Sequence, residues 1–276
     1  IDQRSLFFSQ NNFSRTTVTK NIDHELDSEA FISRSKDGHE GVFTRVRKLS
    51  IRRLIVFIMS FKCALQRDLD RFYKSINNSE FSIREVTKGA LSQARAKLNP
   101  WAFIRLNDVA VSTFYKEAAH YRWHGKRLLA VDGSRLTLPK HQTIIKEFDT
   151  YGFRPKADSH RSMALSSMLY DTLNHLTIDA QIAPLSVSER DLLLDHLDKV
   201  ASGDMLLLDR GYPCFWLLFL LHAKGIDFCV RLKSDWWLEV KQFLEEETND
   251  KQVTFRLGSS RKIKNDINIA VNTLKD

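Results

Sequence analysis

Two short apolar runs constrain the fold of this chain more than any other feature. Leu128-Leu129-Ala130-Val131 and Met205-Leu206-Leu207-Leu208 are each stopped by an aspartate, Asp132 and Asp209, with glycine one or two residues later at Gly133 and Gly211. A continuous apolar run halted by a polar turn is the pattern of a strand buried on both faces. Further strands are predicted at 163–170, 175–182 and 226–232, with helices starting at Ser188 and spanning 215–222. Strands that alternate with helices after an initial run of neighbouring strands describe an α/β sheet of mixed strand direction.

Ligands of an open α/β sheet gather at the carboxyl ends of its strands, so aspartates there on neighbouring strands can converge. Carboxylates that close repel unless a cation lies between them. Mg²⁺ (or Mn²⁺) is the natural choice, because it is hard and needs only one or two carboxylates besides substrate oxygens. Two such ions activate a nucleophile and stabilise the leaving oxygen in phosphodiester cleavage. Either aspartate alone also reads as an ordinary turn residue or helix cap.

The front of the chain is predicted to be helical. Leu54, Ile58, Phe61, Leu65, Leu69, Phe72 and Ile76 recur at steps of three and four, the face of one helix or of two end to end. Ser82 and Glu85 form an S-x-x-E capping box, which predicts a short helix from Ile83 to Gly89, followed by a second from Ala90 to Leu98. Asn99 then caps a helix with Pro100 at its first position. Short helices around Gly89 are compatible with a helix-turn-helix-like reader, in which Lys88, Ser92, Gln93, Arg95 and Lys97 offer phosphate contacts and base-edge donors. Ordinary helical packing with solvated charges gives the same pattern. Residues 1–42 show no sustained period and read as a loosely ordered lead-in.

With 42 Lys and Arg against 34 Asp and Glu, the chain carries a formal charge of +8, which favours a polyanionic partner. Cys63, Cys214 and Cys229 make no CxxC pair and no even set, which excludes a disulfide framework and fits a reducing cytoplasm. The longest apolar run, 214–221, is too short to cross a bilayer. His120 and His124 lack the glutamate of an HExxH zinc motif. A haloacid-dehalogenase-type phosphatase is excluded because its nucleophilic aspartate would stand at position 130, which is alanine. Trp236 and Trp237 are candidates for stacking on an unpaired base, although neighbours on a strand face opposite ways.

The segments LLAVDGSRLTLP and DMLLLDRGYPCFWLLFLLHAKGIDFCVRLK resemble the two acidic blocks of DDE transposases of the insertion-sequence-four type, and SERDLLLDHL ahead of the second block shares the likeness. LSIRRLIVFIMSFKCALQRDLDRFY and VTKGALSQARAKLNPWAFIRLND resemble the helical N-terminal segments of that family, so the resemblance spans about residues 43–233. It implies a ribonuclease-H-like catalytic domain with a DDE metal triad, Asp132 and Asp209 matching the first two positions. It also implies excision and reinsertion of a mobile element by way of its terminal inverted repeats and target DNA, a dimer bridging two ends, and a nucleoid-associated location in the cytoplasm. Arg210, directly after the second aspartate, is placed to meet a phosphate, and Arg231 and Lys233 end the next strand.

The family's third block, Y-x2-R-x3-E-x6-K, has no match here: Glu239, Glu245, Glu246 and Glu247 lack the flanking Tyr, Arg and Lys. Both ends of the chain look cut. The expected organisation is a lead-in at 1–42, a helical DNA-binding region at 43–123, an incomplete ribonuclease-H-like core at 124–235, and the start of a β-rich insertion at 236–276. Two functions compete: a Mg²⁺-dependent transposase present as a fragment without its third carboxylate, and a catalytically inactive DNA-binding remnant of one.

Overall fold

The computed structural model describes residues 3–36, 41–43, 48–152, 160–235, 237–246, 248–253 and 261–274. The chain forms two compact units, Ile1–Ala119 and His120–Asp276.

Every described element of the first unit is a helix: α1 (Gln3–Asp27), α2 (Glu29–Arg34), α3 (Ile51–Ser60), α4 (Leu65–Ile76), α5 (Lys88–Arg95) and α6 (Trp101–Glu117). Helices α1 and α2 therefore occupy much of the segment read as a loose lead-in, of which residues 1–2 and 37–40 lie outside the described residues. Tertiary contacts, not an apolar stripe, hold them. Leu26 and Phe31 are buried with Leu54, Ile55, Phe57 and Leu69. Arg105 donates from Nε and Nη2 to the Glu25 carboxylate at 2.7 and 3.0 Å, and Arg52 bridges Asp23 and Asp27 at 2.6 and 3.0 Å.

The apolar stripe from Leu54 to Ile76 divides into two helices, α3 and α4. Backbone N–H groups of Lys62, Cys63 and Ala64 all donate to one oxygen of Asp68 at 3.2 Å, fixing the break between them. Those bonds hold the Asp68 carboxyl below the usual carboxylate range. The helix expected from Ile83 is absent, because Glu85 pairs with Lys48 instead of closing a capping box on Ser82. Helix α5 starts later, where Thr87 Oγ1 accepts from the Ala90 N–H at 3.2 Å. Asn99 Oδ1 accepts from the Trp101 N–H at 2.9 Å and opens α6.

The second unit runs β1 (Leu128–Thr137), α7 (Gln142–Phe148), β2 (Thr150–Gly152), β3 (His160–Asp171), β4 (Leu176–Pro184), α8 (Glu189–His196), β5 (Met205–Leu208), α9 (Phe215–Ala223), β6 (Asp227–Val230), α10 (Leu238–Glu245) and α11 (Arg261–Thr273). Its mixed sheet has the strand order β4-β3-β1-β5-β6. The first three strands are antiparallel and the last three parallel, while β2 pairs with the start of β3. Leu129, Val131, Leu206 and Leu208 bury the centre of the sheet beside Leu193 of α8 and Leu217, Leu220 and Leu221 of α9.

One expectation fails in this unit. Strand β1 does not stop at Asp132-Gly133-Ser134 but continues to Thr137, because β3 supplies a partner as far as Thr137↔Met163. After residue 236 the described residues hold α10 and α11. Ala270 of α11 is fully buried and α11 packs on α9, which accounts for a helix in a stretch that reads as mixed polar. Trp236 and Glu247 lie outside the described residues.

Candidate active site

The register of β1 and β5 brings the two sequence-predicted aspartates together. The strands run parallel with Val131 opposite Leu208, so Asp132 and Asp209 occupy the next position on each. Adjacent strands lie about 4.8 Å apart. Both aspartates are exposed. Asp132 Oδ1 accepts from the Gly133 N–H at 3.0 Å, and Asp209 Oδ1 accepts from the Gly211 N–H at 2.7 Å, so a local backbone bond orients each carboxylate.

A third carboxylate shares this place, and the sequence reading missed it. Glu189, the first residue of α8, lies against both glycines. A Cβ on Gly133 would stand 2.5 Å from Glu189 Oε1, and one on Gly211 would stand 3.0 Å from Asp209 Oδ1 and 3.5 Å from Glu189 Oε2. The segment around it is anchored residue by residue. Ser188 and Asp191 form a reciprocal capping box at the start of α8. Arg190 donates from Nε to the Tyr212 carbonyl at 2.9 Å and from Nη2 to the Gly211 carbonyl at 2.8 Å, tying α8 to the loop after Asp209. The available signals were a glycine close behind each aspartate and an acid just inside a capped helix.

Behind the carboxylates lies Tyr212, fully buried. Burial first, then the charges of Glu189, Asp132 and Asp209, push its hydroxyl pKa well up. Oη lies near Ser167 but makes no hydrogen bond of good geometry. Ser167 belongs to a buried chain: His196 Nε2 is 3.0 Å from Ser167 Oγ, and His196 Nδ1 is 2.7 Å from Asp179 Oδ2. A carboxylate only accepts, so Nδ1 carries a proton toward Asp179. The His196 hydrogen bond holds the Asp179 carboxyl below its usual range.

Among the described residues no group of three or more His, Cys, Asp or Glu side chains is drawn together tightly enough to hold a metal ion. The pair of register-matched carboxylates and the glycine-lined space beside them nevertheless fit a hard divalent cation in donor type. Arg210 is exposed and lines a cavity of about 350 Å³ with Arg190, Trp216, Lys233 and Asp266. Arg231 and Lys233 follow the last residue of β6 and are exposed. Trp237 packs on Phe215 with ring centroids 5.6 Å apart. In the first unit Lys88, Ser92, Gln93 and Arg95 lie on α5 and Lys97 just beyond it, all exposed, while Leu91 turns the opposite face into the core.

Among the described residues no helix is long and apolar enough to cross a membrane. Residues 123–275 match the family described as "Transposase DDE domain". Over 153 residues the chain is 22% identical to a protein described as "Putative transposase InsZ" from Escherichia coli (strain K12), a stretch covering 54% of this chain and 50% of that protein. The chain thus spans about half the length of the curated relative it matches. A cryo-EM structure of a piggyBac transposase synaptic complex with hairpin DNA is a remote structural neighbour, with a TM-score of 0.33 and 13% identity over 86% of this chain and 52% of that one. The family match covers more than half of the sequence and contains both aspartates, and the chain belongs to the Transposase DDE domain family.

Proposed function

We propose that this chain is a DNA transposase of the insertion-sequence-four type that cleaves phosphodiesters at the ends of a mobile element and joins them to target DNA. The parallel register that makes Asp132 and Asp209 neighbours carries this reading. A ribonuclease-H-like core is supported by the strand order, with an antiparallel trio continued by a parallel trio and both acids at the junction. Asp132 and Asp209 are the residues that would hold Mg²⁺ (or Mn²⁺). The bound cation would lower the pKa of the nucleophile and neutralise charge on the leaving oxygen.

The protein's own groups have separate tasks. Asp132 and Asp209 would hold the cation against which the scissile phosphate rests. Arg210, with Lys233 across the neighbouring cavity, holds flanking phosphates. In the first step a water oxygen bonds to phosphorus as the bond to the 3′ oxygen breaks, and that oxygen leaves as a hydroxyl. In the second, the freed 3′ hydroxyl attacks a phosphodiester of target DNA and displaces one of its 3′ oxygens. The exposed face of α5, with Lys88, Ser92, Gln93, Arg95 and Lys97, reads the terminal inverted repeats, two chains bridge the two ends, and the protein works at the nucleoid.

A second reading, a catalytically inactive DNA-binding protein, is favoured by the lack of a three-residue metal group among the described residues. Nicking of a supercoiled plasmid that carries the sequences flanking the gene discriminates them. Mg²⁺-dependent nicking that disappears in Asp132→Asn and Asp209→Asn is the expected result. End-specific binding without nicking supports the inactive protein.

A further inference from the structure

Between α4 and α5 the chain carries apolar side chains that its fold does not use. Phe81 is 75% exposed and Ile83 63%, and no other large apolar side chain among the described residues is as exposed as Phe81. Neither belongs to the core that holds Leu54, Leu69, Tyr73 and Val86. A single exposed apolar residue is ordinary. Two of them two positions apart, with Ile76 41% exposed at the end of α4, put a small apolar prong in water. The Cα atoms of Phe81 and Ile83 are at most about 7 Å apart.

The prong stands on a fastened base. Asn78 takes a positive φ of 48°, and the Ser79 N–H donates to the Lys74 carbonyl at 3.1 Å, which closes the end of α4. On the other side Val86 is buried, and Gln66 of α4 clasps its neighbourhood. Gln66 Nε2 donates to the Val86 carbonyl at 3.0 Å, and Oε1 accepts from the Lys88 N–H at 2.8 Å. Glu85 pairs with Lys48, and Arg84 Nε lies 3.9 Å from Asp70 Oδ2. Both ends of the loop are thus pinned, so seating Phe81 and Ile83 on a partner costs less conformational freedom than seating a loose loop would.

The charges around the prong select its partner. Arg71, Lys74, Arg84 and Lys88 are all exposed, against the acids Glu80 and Glu85, of which Glu85 is neutralised by Lys48. The helical unit as a whole carries 20 Lys and Arg against 13 Asp and Glu. An apolar knob among cations fits a polyanion with an apolar interior. Duplex DNA is one, with phosphates outside and base faces that become accessible when a step is parted. We infer that Phe81, with Ile83 beside it, is a wedge that enters the minor groove and parts one base step when the helical unit binds duplex DNA, kinking it. The inference rests on the reading of the chain as a DNA-binding transposase. Pyrimidine–purine steps part most easily, so the wedge selects TA steps by their deformability, without a hydrogen bond to any base.

Short duplexes with 2-aminopurine at their TA steps test this, with the whole chain and with divalent metal chelated. Anisotropy reports binding, and 2-aminopurine fluorescence reports unstacking. At saturation the unaltered protein should raise the fluorescence at least about twofold. Phe81→Ala combined with Ile83→Ala should return it to within about a fifth of the free-duplex value, whereas Phe81→Leu, which keeps an apolar wedge, should retain the rise. The double variant should keep its urea midpoint, because both side chains are exposed, and its slope of log affinity against log salt, because no ionic contact is removed. Binding with no rise in fluorescence, or a rise that persists in the double variant, overturns the wedge and leaves the DNA-binding reading standing. A chain that sediments as a dimer, and as a monomer once doubly substituted, assigns the prong to a second copy and also overturns it. No binding to any duplex overturns both.

Discussion

Asp179 and His196 show how single residues behind the site support it. The pair lies between β4 and α8 and reaches Ser167 of β3, next to Tyr212. Asp179→Asn replaces the charged acceptor of a buried imidazole with a neutral amide, at a cost of about 2 kcal/mol at neutral pH. The pH dependence has a definite sign. A carboxylate whose folded pKa is depressed stabilises the fold above its unfolded pKa, and loses that contribution as pH falls through the lower folded value. Urea unfolding of the two proteins should therefore differ by about 2 kcal/mol at pH 7 and converge below about pH 4. A constant difference through that range would assign the cost to packing. These residues also mark the limit of sequence reading. Asp132 and Asp209 were legible because a local pattern, an apolar run stopped by an acid, coincides with the end of the parallel pairing between β1 and β5. Asp179, His196 and Ser167 stand 17 and 29 residues apart along the chain, and no local pattern joins them. Glu189 was hidden for the same reason, since its neighbours belong to β1 and to the loop after β5.

At the scale of elements, α8 determines where Glu189 sits. Ser188 fixes its first turn, Leu192 and Leu193 bury its inner face, and Arg190 fastens it to the loop that follows Asp209. Ser188→Ala removes the cap and should cost about 1 kcal/mol in urea unfolding, with the α/β circular dichroism spectrum retained. A loss several times larger would mean that Ser188 supports more than the helix end. This helix, β5 and α9 were readable in the sequence because apolar pattern and burial agree in each, and α8 has its capping box besides. Helix α1 was not: its apolar residues follow no sustained period, and Arg52, Arg105 and Thr113, which hold it, come from helices far along the chain. The length of β1 was hidden too, since Asp132-Gly133-Ser134 has turn chemistry and is kept extended only by pairing with β3. The short helix expected from Ile83 to Gly89 shows the converse. A correct local signal lost to a tertiary ion pair between Glu85 and Lys48.

Over the whole molecule, charge is divided as sharply as fold. The helical unit Ile1–Ala119 has 20 Lys and Arg against 13 Asp and Glu, a net +7, whereas His120–Asp276 has 22 against 21, a net +1. The unit that belongs to the catalytic family is thus close to neutral. Its acids are what a cation site needs and what DNA phosphates repel, so on the proposed function attraction for a duplex is expected outside this unit. On the proposed function the electrostatic part of DNA affinity falls to the helical unit, and within it the exposed row on α5 is the candidate that the sequence singles out. Each phosphate contact releases counterions, so the slope of log affinity against log salt counts such contacts at about 0.9 each. With divalent metal chelated to prevent cleavage, replacing Lys88, Arg95 and Lys97 together by glutamine should flatten that slope by about 2.7 on a duplex of arbitrary sequence. An unchanged slope would move the phosphate contacts to other basic residues of Ile1–Ala119 and remove α5 from the reading of DNA. A flattened slope with preference for the element ends retained would make α5 an anchor on the backbone and assign the reading of bases to another part of the chain.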